Sequence, residues 1–411
     1  MSRGAPDSVA MTRPKMLDPL RILVVQNHYI GFGGDDVVVV SESSLLSAKG
    51  HEVSLWSVHN KDLTSLRSCI HTALSLTYSR QSKARLSRHI AEFRPDVMHC
   101  HNLFPRITVS AYDAAAEAGI PIVQTLHDFR SVCCINGYLH RNGRICELCV
   151  AGSSYWGALH RCYRNSWLGS FVTAHALDLQ RRAGTLQQRV ECFIALSELS
   201  RRRFIAAGLP GERIFVKPNF VHPDPCTRTG NGEYALFVGR LSPEKGVRTV
   251  VAAWKRLSTK IPIVIIGGGP DRTRLEAEAT SAGLTNVHFK GQMPRDQTLA
   301  AINNARFVVI SSEWYETFCM AIAEAFACST PVICSRMGVM QELVADGRTG
   351  LHYTPSDPDD LARKAEWAWI HPQEMRAMGN AGRAEYEARY TAEKNYPRLI
   401  QIYQSVLQAT S

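Results

Sequence analysis

One rhythm, which occurs twice, constrains this chain more than any other feature. Short apolar runs, RILVVQ (21–26), EVSLWS (52–57), DVMHCH (96–101), PIVQTL (121–126) and ECFIAL (191–196), alternate with stretches of helical period such as 36–49 and 108–118. Apolar runs of that length suit strands buried on both faces, and strands interleaved with helices make a doubly wound parallel sheet. The segment VKPNFVHPDPCTRTGNGE (216–233), rich in Pro, Gly, Asn and Thr, interrupts the rhythm as a linker would. It then restarts with YALFVG (234–239), IPIVIIG (261–267), VHFKG (287–291), RFVVIS (306–311) and TPVICS (330–335). The expectation is an α/β chain of two Rossmann-like domains. They would face each other across a cleft at the carboxyl ends of their strands, where open parallel sheets bind ligands.

The boundaries follow from the same rhythm: a flexible tail over 1–18, a first domain over 19–218 and a second over 219–388. A last helix over 389–411 is placed to pack back on the first domain. No uninterrupted run of about 18 apolar residues occurs, which excludes a spanning helix. The opening MSRGAPDSVAMTRPKM lacks the apolar stretch of a secretory signal, so export is not expected, and Met11 and Met16 are alternative starts. Twelve Cys spread over 411 residues without such a signal point to a reducing cytosol. Residues 1–220 carry 26 Lys and Arg against 17 Asp and Glu, and the remainder 21 against 20. The basic segments SRQSKARLSR (79–88) and RRR (201–203) suit anionic lipid head groups or phosphorylated acceptors, or are simply solvated helix faces. No nucleic-acid-binding signature accompanies them.

Chemistry concentrates at strand ends. Gly33 and Gly34 follow the first strand and precede a helix opened by Asp35 and Asp36. There the backbone can approach a phosphate, or simply make a tight capped turn. A G-x-G-x-x-G fingerprint is absent after this strand and a Walker A motif is absent throughout, which argues against dehydrogenases and P-loop enzymes. Arg240 and Lys245, just past the YALFVG strand, suit a diphosphate whose charge grows as a bond to it breaks. In SSEWYETFCMAIAEAFA (311–327), Glu316 precedes and Glu324 lies within a helix, roughly 12 Å apart if all eight residues are helical. His99 and His101 share one strand face. In CCINGYLHRNGRICELCVAGSSYWGALHRC (133–162), Cys134 (or Cys133), Cys146, Cys149 and Cys162 can close a structural zinc site, with His140 and His160 as substitutes. They can equally be redox-sensitive or merely buried thiols.

The run G-R-L-S-P-E-K-G (239–246) and Glu316-x7-Glu324 with Phe318 between them resemble the retaining GT-B glycosyltransferases of family 4, the group 1 type. The likeness continues through GGDD after the first strand, H-C-H-N (99–102), Thr125-Leu-His127-Asp128, Ser197 and Pro218-Asn219. It implies an acceptor-side N-terminal domain with a Cys-rich insert at 133–162, and a C-terminal domain for a nucleotide-sugar donor. By the resemblance Arg240 and Lys245 meet the donor diphosphate, Glu316 the sugar hydroxyls and Glu324 the ribose. His127 stands beside the transferred sugar, Gly33 and Gly34 on the phosphate side, and Gln292 and Met293 at the base. The acceptor side is assigned His101 and Asn102. Cys319 departs from the glycine usual after the Phe of the motif, which bears on the choice of sugar.

The implied activity is retaining transfer of a hexose from a UDP- or GDP-sugar to a lipid-linked or oligosaccharide acceptor in cell-surface polysaccharide synthesis. It would proceed without a catalytic metal, by front-face attack in which the departing phosphate oxygen takes the acceptor proton. The implied place is cytoplasmic, at the inner face of the plasma membrane, with an anionic membrane surface as partner. A two-domain nucleotide-sugar epimerase, or a non-catalytic saccharide-binding protein, are the alternatives. Product analysis separates the first, and the intact charged set at 240, 245, 316 and 324 opposes the second.

Overall fold

The computed structural model describes residues 19–410 except 30–32, 61–64, 135–139, 142, 151, 229 and 231. The expected tail at 1–18 and the last residue of the expected 389–411 helix lie outside the described residues. In chain order the first half holds β1 (Arg21–His28), α1 (Gly34–Ala48), β2 (Glu52–His59), α2 (Leu66–Leu74), α3 (Arg80–Phe93), β3 (Val97–Cys100), α4 (Ser110–Glu117) and β4 (Ile122–Leu126). It continues with β5 (His140–Arg141), β6 (Arg144–Ile145), α5 (Trp156–Leu159), α6 (Trp167–Arg182), α7 (Thr185–Arg189), β7 (Cys192–Ala195), α8 (Glu198–Ala206) and β8 (Ile214–Val216). The second half runs β9 (Ala235–Val238), α9 (Val247–Trp254), β10 (Ile263–Ile266), α10 (Arg272–Ser281), β11 (Val287–Gly291), α11 (Arg295–Asn304), β12 (Phe307–Ile310) and α12 (Met320–Ala327). It closes with β13 (Val332–Ser335), α13 (Val339–Leu343), β14 (Gly350–Tyr353), α14 (Pro358–Ile370), α15 (Pro372–Arg389) and α16 (Ala392–Thr410).

The strands form two six-stranded sheets, β2-β1-β3-β4-β7-β8 and β11-β10-β9-β12-β13-β14. Every pairing within them is parallel. The unbroken apolar runs become fully buried strands, as in β3, β4, β7, β12 and β13. The edge strand β11 alternates instead, because one of its faces meets solvent. Each sheet changes direction once, between β1 and β3 and between β9 and β12, and the crevice outside the strand ends at these points is where loops diverge. Between β4 and α6 the described residues of the Cys-rich insert form the small antiparallel hairpin β5-β6 and the short α5.

The expected linker is only partly a linker. Lys217, Phe220 and Val221 are each 1% exposed, and the Val221 N–H donates to the Tyr390 carbonyl at 3.0 Å. Apolar side chains and one buried ammonium pin the first part of 216–233 under the C-terminal helices. Lys217 Nζ donates to Glu42 Oε2 of α1 at 2.8 Å and to Asn395 Oδ1 of α16 at 3.0 Å. Burial alone would raise the Glu42 carboxyl, but the Lys217 charge and hydrogen bond, with the neighbouring histidines, together hold the group below its usual range. The expected last helix is α16, which begins at Ala392. Tyr390 ends α15, and α16 crosses to the first lobe, where Tyr396 OH meets His51 Nε2 at 2.9 Å and Tyr403 OH meets His99 Nδ1 at 2.7 Å. One apolar cluster therefore runs from Ile22 and Val39 to Leu236, Tyr386 and Tyr403.

Removing one partner of a buried ion pair leaves the other uncompensated. Lys217→Met is expected to cost about 3–5 kcal/mol, read as a lower denaturant midpoint, while Lys217→Met with Glu42→Leu recovers most of it.

Candidate functional site

The second lobe builds one wall of the crevice from the loops after β9 and β12. The turn 243–245 ends at Gly246, whose φ is +65° and whose Cβ, if present, would lie 2.0 Å from the Ser311 carbonyl oxygen. Only glycine allows that approach, and it seats Lys245 against the strand end. Ser311 Oγ donates to the Lys245 carbonyl at 2.7 Å and the Glu313 N–H to the Glu244 carbonyl at 2.9 Å. Lys245 Nζ reaches Glu316 Oε1 at 2.9 Å and stands 5.2 Å from the Trp314 ring centre, and the Ser312 hydroxyl also donates to Glu316. Burial by itself would lower the Lys245 ammonium, but Glu316 beside it wins and holds it above the usual lysine range. Arg240 is exposed five positions earlier, and its side chain has no hydrogen-bond or ion-pair partner among the described residues.

Only half of the Glu316-to-Glu324 spacing is helical. Thr317 is bonded to His127 of the first lobe and Phe318 packs on Tyr390 before the chain turns at Cys319, and α12 starts at Met320. The 12 Å helical estimate therefore does not apply. Glu324 sits in that helix with a side chain 13% exposed, and its nearest cation is Arg295 of α11, Nη1 to Oε1 at 3.6 Å. Burial raises its carboxyl to about 7, against the pull of Arg295. Gln292 and Met293 lie in the loop that leads from β11 into α11 and so to Arg295. Phe318 is buried against Tyr390, ring centres 5.8 Å apart, and Cys319 is 4% exposed. The Cys319 side chain is therefore packed at the start of α12, where burial raises its thiol.

The first lobe supplies the facing wall. Asp36, at the start of α1, accepts from the Gly33 N–H at 2.9 Å and meets His28 Nδ1 at 2.6 Å. The Gly33 amide is thus already bound, and the open donors of this first turn are those of Gly34 and Asp35. Asp35 points toward His127, Oδ1 to Nδ1 at 3.8 Å, and its Oδ2 accepts from Asn102 Nδ2 at 3.0 Å. Burial lifts the Asp35 carboxyl above its usual range, against the imidazole of His127.

His101, expected on the acceptor side, stands behind His127 instead. It is 2% exposed, stacks between His99 and His127, and its Nδ1 meets His127 Nε2 at 2.7 Å. Strand pairing puts it there, since His101 directly continues β3 and its N–H binds the Val25 carbonyl of β1. Burial holds His99 and His101 well below the usual histidine range, so both rings are neutral. Glu42, 3.7 Å from His101 Nε2, favours the proton there. Nδ1 is then free to accept from His127 Nε2, and His127 Nδ1, without a hydrogen-bond partner, faces Asp35. His99, by contrast, has both nitrogens bonded, to Tyr403 and Thr125, and serves the core. Asn102 and His127 do line the cavity in front, about 900 Å³ of empty space walled also by Leu76, Leu103, Phe104 and Leu177.

The two walls touch. Thr317 Oγ1 donates to the His127 carbonyl at 2.5 Å, Ser197 Oγ to the Thr317 carbonyl at 2.9 Å, and Glu342 accepts from the Glu198 and Leu199 amides at the start of α8. A Cβ on Gly34 would lie 3.7 Å from Met320 Cγ, so the glycine turn faces the start of α12. The four cysteines of the insert stand elsewhere, around a separate small cavity. Among the described residues only Glu42, His99 and His101 bring three metal-ligating atoms within 4.8 Å of one another, and there Lys217 already supplies the cation.

Residues 32–225 match the family model for Glycosyltransferase Family 4, and residues 225–385 the one for Glycosyl transferases group 1. The chain belongs to these glycosyltransferase families. It is 32% identical to D-rhamnosyltransferase WbpZ of Pseudomonas aeruginosa over 39% of this chain and 42% of that one. It is 31% identical to the alpha-maltose-1-phosphate synthase of Mycolicibacterium smegmatis over 43% and 49%. The chain thus spans about half the length of the curated relatives it matches. In fold it is similar to Anabaena HepE, solved with UDP and glucose, at a TM-score of 0.67, 18% identity and coverage of 94% of this glycosyltransferase and all of that chain. The two-lobed architecture is therefore GT-B.

The motifs did not single out Asp35 for anything beyond opening a helix, nor did they mark Glu42, Lys217, Arg295, Ser312 or Thr317. Lys217 and Glu42 are 175 positions apart and neither carries a local signature. Arg295, at the first turn after a Met-Pro pair, was visible only as a helix start. Because Arg295 opposes the burial of Glu324, Arg295→Met is expected to move the Glu324 titration upward from about 7. Infrared difference spectra of the carboxyl region, referenced to Glu324→Gln, measure it.

Proposed function

We propose that this protein is a retaining, metal-independent hexosyltransferase that takes its sugar from a UDP- or GDP-hexose. The acceptor is a lipid-linked or growing oligosaccharide in cell-surface polysaccharide synthesis. The observation that carries the reading is the cation pair of the second lobe: Arg240 exposed and unpartnered, Lys245 held charged against Glu316 at the same strand end. Two positive charges there suit a nucleoside diphosphate, and they would neutralise the charge that accumulates on it as the glycosidic C–O bond breaks. Glu316 is placed to hold sugar hydroxyls while it steadies Lys245, Glu324 to accept from the ribose, and Gln292 and Met293 to border the base. His127, with its bare Nδ1 facing Asp35, stands where the sugar and the acceptor would meet. The acceptor hydroxyl adds to the anomeric carbon on the face from which the diphosphate leaves, and its proton passes to the departing phosphate oxygen. Relatives named as rhamnosyl- and mannosyltransferases support a role in glycan building.

The cavity beside His127 has apolar walls, Leu76, Leu103, Phe104 and Leu186 among them, which suit an acceptor with a lipid portion. We place the enzyme at the cytoplasmic face of an anionic membrane. Support comes from α3, whose Arg80, Arg85 and Arg88 have no side-chain partner among the described residues. The RRR segment contributes less than its composition suggests. Arg201 donates to the Ile214 carbonyl, and Arg203 lies over the Tyr315 ring. No helix of the described residues is long and apolar enough to cross a membrane.

Screening melting temperature against UDP- and GDP-sugars, with analysis of the products, tests the reading: one donor raises the transition by mass action and is turned over with its anomeric configuration kept. Release of an epimerised free sugar would overturn it. Arg240→Ala should lower kcat/KM by about 10²–10³-fold without loss of helical signal. The raised Glu324 carboxyl sets a pH dependence. Hydroxyl groups of the ribose favour its charged form, so donor affinity rises as pH climbs through about 7. Calorimetric titrations should find that step in the parent and none in Glu324→Gln.

A further inference from the structure

Among the described residues, the insert between β4 and α6 has little buried apolar material to hold it. Its own buried cluster comprises Cys134, Ala158, Ala174 and Leu177, backed by Tyr155, while Trp156 and Leu159 of α5 are 43% and 65% exposed. A two-residue hairpin ladder and a one-turn helix cannot hold themselves together on so small a core, and such segments need a covalent or metal staple. The thiols are placed to be one. Cys134 follows the loop after β4, Cys146 and Cys149 form a C-x-x-C directly after the β5-β6 hairpin, and Cys162 follows α5. All four line one small cavity, which Cys133, Leu148, Trp156, Gly157 and His160 also border.

Gly157 keeps that cavity open. A Cβ there would lie 2.7 Å from Cys134 Sγ and 4.0 Å from Cys162 Cβ, so any side chain would occupy the space between the sulfurs. The structure also separates the adjacent thiols. Cys133 also borders the cavity but packs in the core of the first lobe, whereas Cys134 packs within the insert. Of the substitute histidines, His160 borders the cavity with its ring stacked on Trp156, whereas His140 is not among the residues that line it. All four cysteines are free thiols. Their sulfurs ring the cavity at wider spacing than coordination leaves them, since no trio among them comes within 4.8 Å.

We propose that Cys134, Cys146, Cys149 and Cys162 bind one structural Zn²⁺. Zinc displaces the thiol protons, draws the four thiolates inward into a tetrahedral set with no open position, and ties the hairpin and α5 to the loop that leaves β4. That loop also carries His127, and Cys133, Cys134 and Tyr163 of the same region wall the large cavity before it. The metal would therefore brace the acceptor wall and take no part in transfer.

The test uses the full chain purified without chelator. Elemental analysis should return about one zinc per chain, and Co²⁺ exchanged for it should give the absorption bands of a tetrahedral thiolate site. Cys149→Ser should lose the metal, while Cys69→Ser, an exposed thiol outside the insert, should keep it. A strong chelator added to the parent protein should lower the first melting transition and expose four additional thiols to a colorimetric reagent. Should Cys149→Ser fail to fold, the chelator and cobalt measurements on the parent still decide. Zinc well below stoichiometry, a Cys146–Cys149 disulfide, or melting indifferent to the chelator would overturn the proposal. Donor binding through Arg240 and Lys245 can succeed or fail independently of all of these.

Discussion

Lys217 sits where water does not reach, its ammonium divided between Glu42 of α1 and Asn395 of α16. The relation between the two lobes depends on it. An ammonium and a carboxylate each lose several kcal/mol of solvation inside a protein, and only mutual contact with further hydrogen bonds offsets the loss. Meeting that condition requires α1, the strand end after β8 and α16 to arrive together. Three remote stretches of chain are fixed by one requirement. The Asn395 amide adds a bond to the Pro218 carbonyl at 2.6 Å, so the segment that joins the lobes is held from the same point. Behind this contact the rings of His99, His101 and His127 follow one another in a column that ends in the crevice.

Much of the fold was legible because its signal is local. Parallel strands buried on both faces must be short and apolar, and the ten runs read from the sequence correspond to ten of the twelve strands of the two sheets. The two that escaped, β8 and β14, have no such run. IFV is three residues long, and GLHY places a half-buried His among apolar neighbours at the sheet edge. The linker at 216–233 was misjudged for a related reason. Its Pro and Asn content is that of a loop, but Phe220 and Val221 are drawn into a core whose other half lies in α15 and α16.

The site was legible as residue types and less so as partnerships. Arg240, Lys245, Glu316 and Glu324 stand out because charges cluster at strand ends in a chain that otherwise alternates. What each charge faces was hidden. Arg295 opposite Glu324 comes from a different helix, and the place of His101 behind His127 depends on the pairing of β3 with β1. The Glu316-to-Glu324 span also escaped a reading by helical pitch, because Thr317 is claimed by the other lobe and Phe318 by Tyr390 before α12 begins.

The Thr317 hydroxyl on the His127 carbonyl, with the Ser197 hydroxyl on that of Thr317, bears on how fast such a molecule can cycle. Both bonds run from lobe to lobe, so a rotation that widens the mouth for a fresh ligand or a spent one must break them. Two neutral hydrogen bonds are worth on the order of 1–3 kcal/mol together, a bias of roughly five- to 150-fold toward the shut arrangement. The hinge, rather than bond making, then becomes a natural governor of throughput.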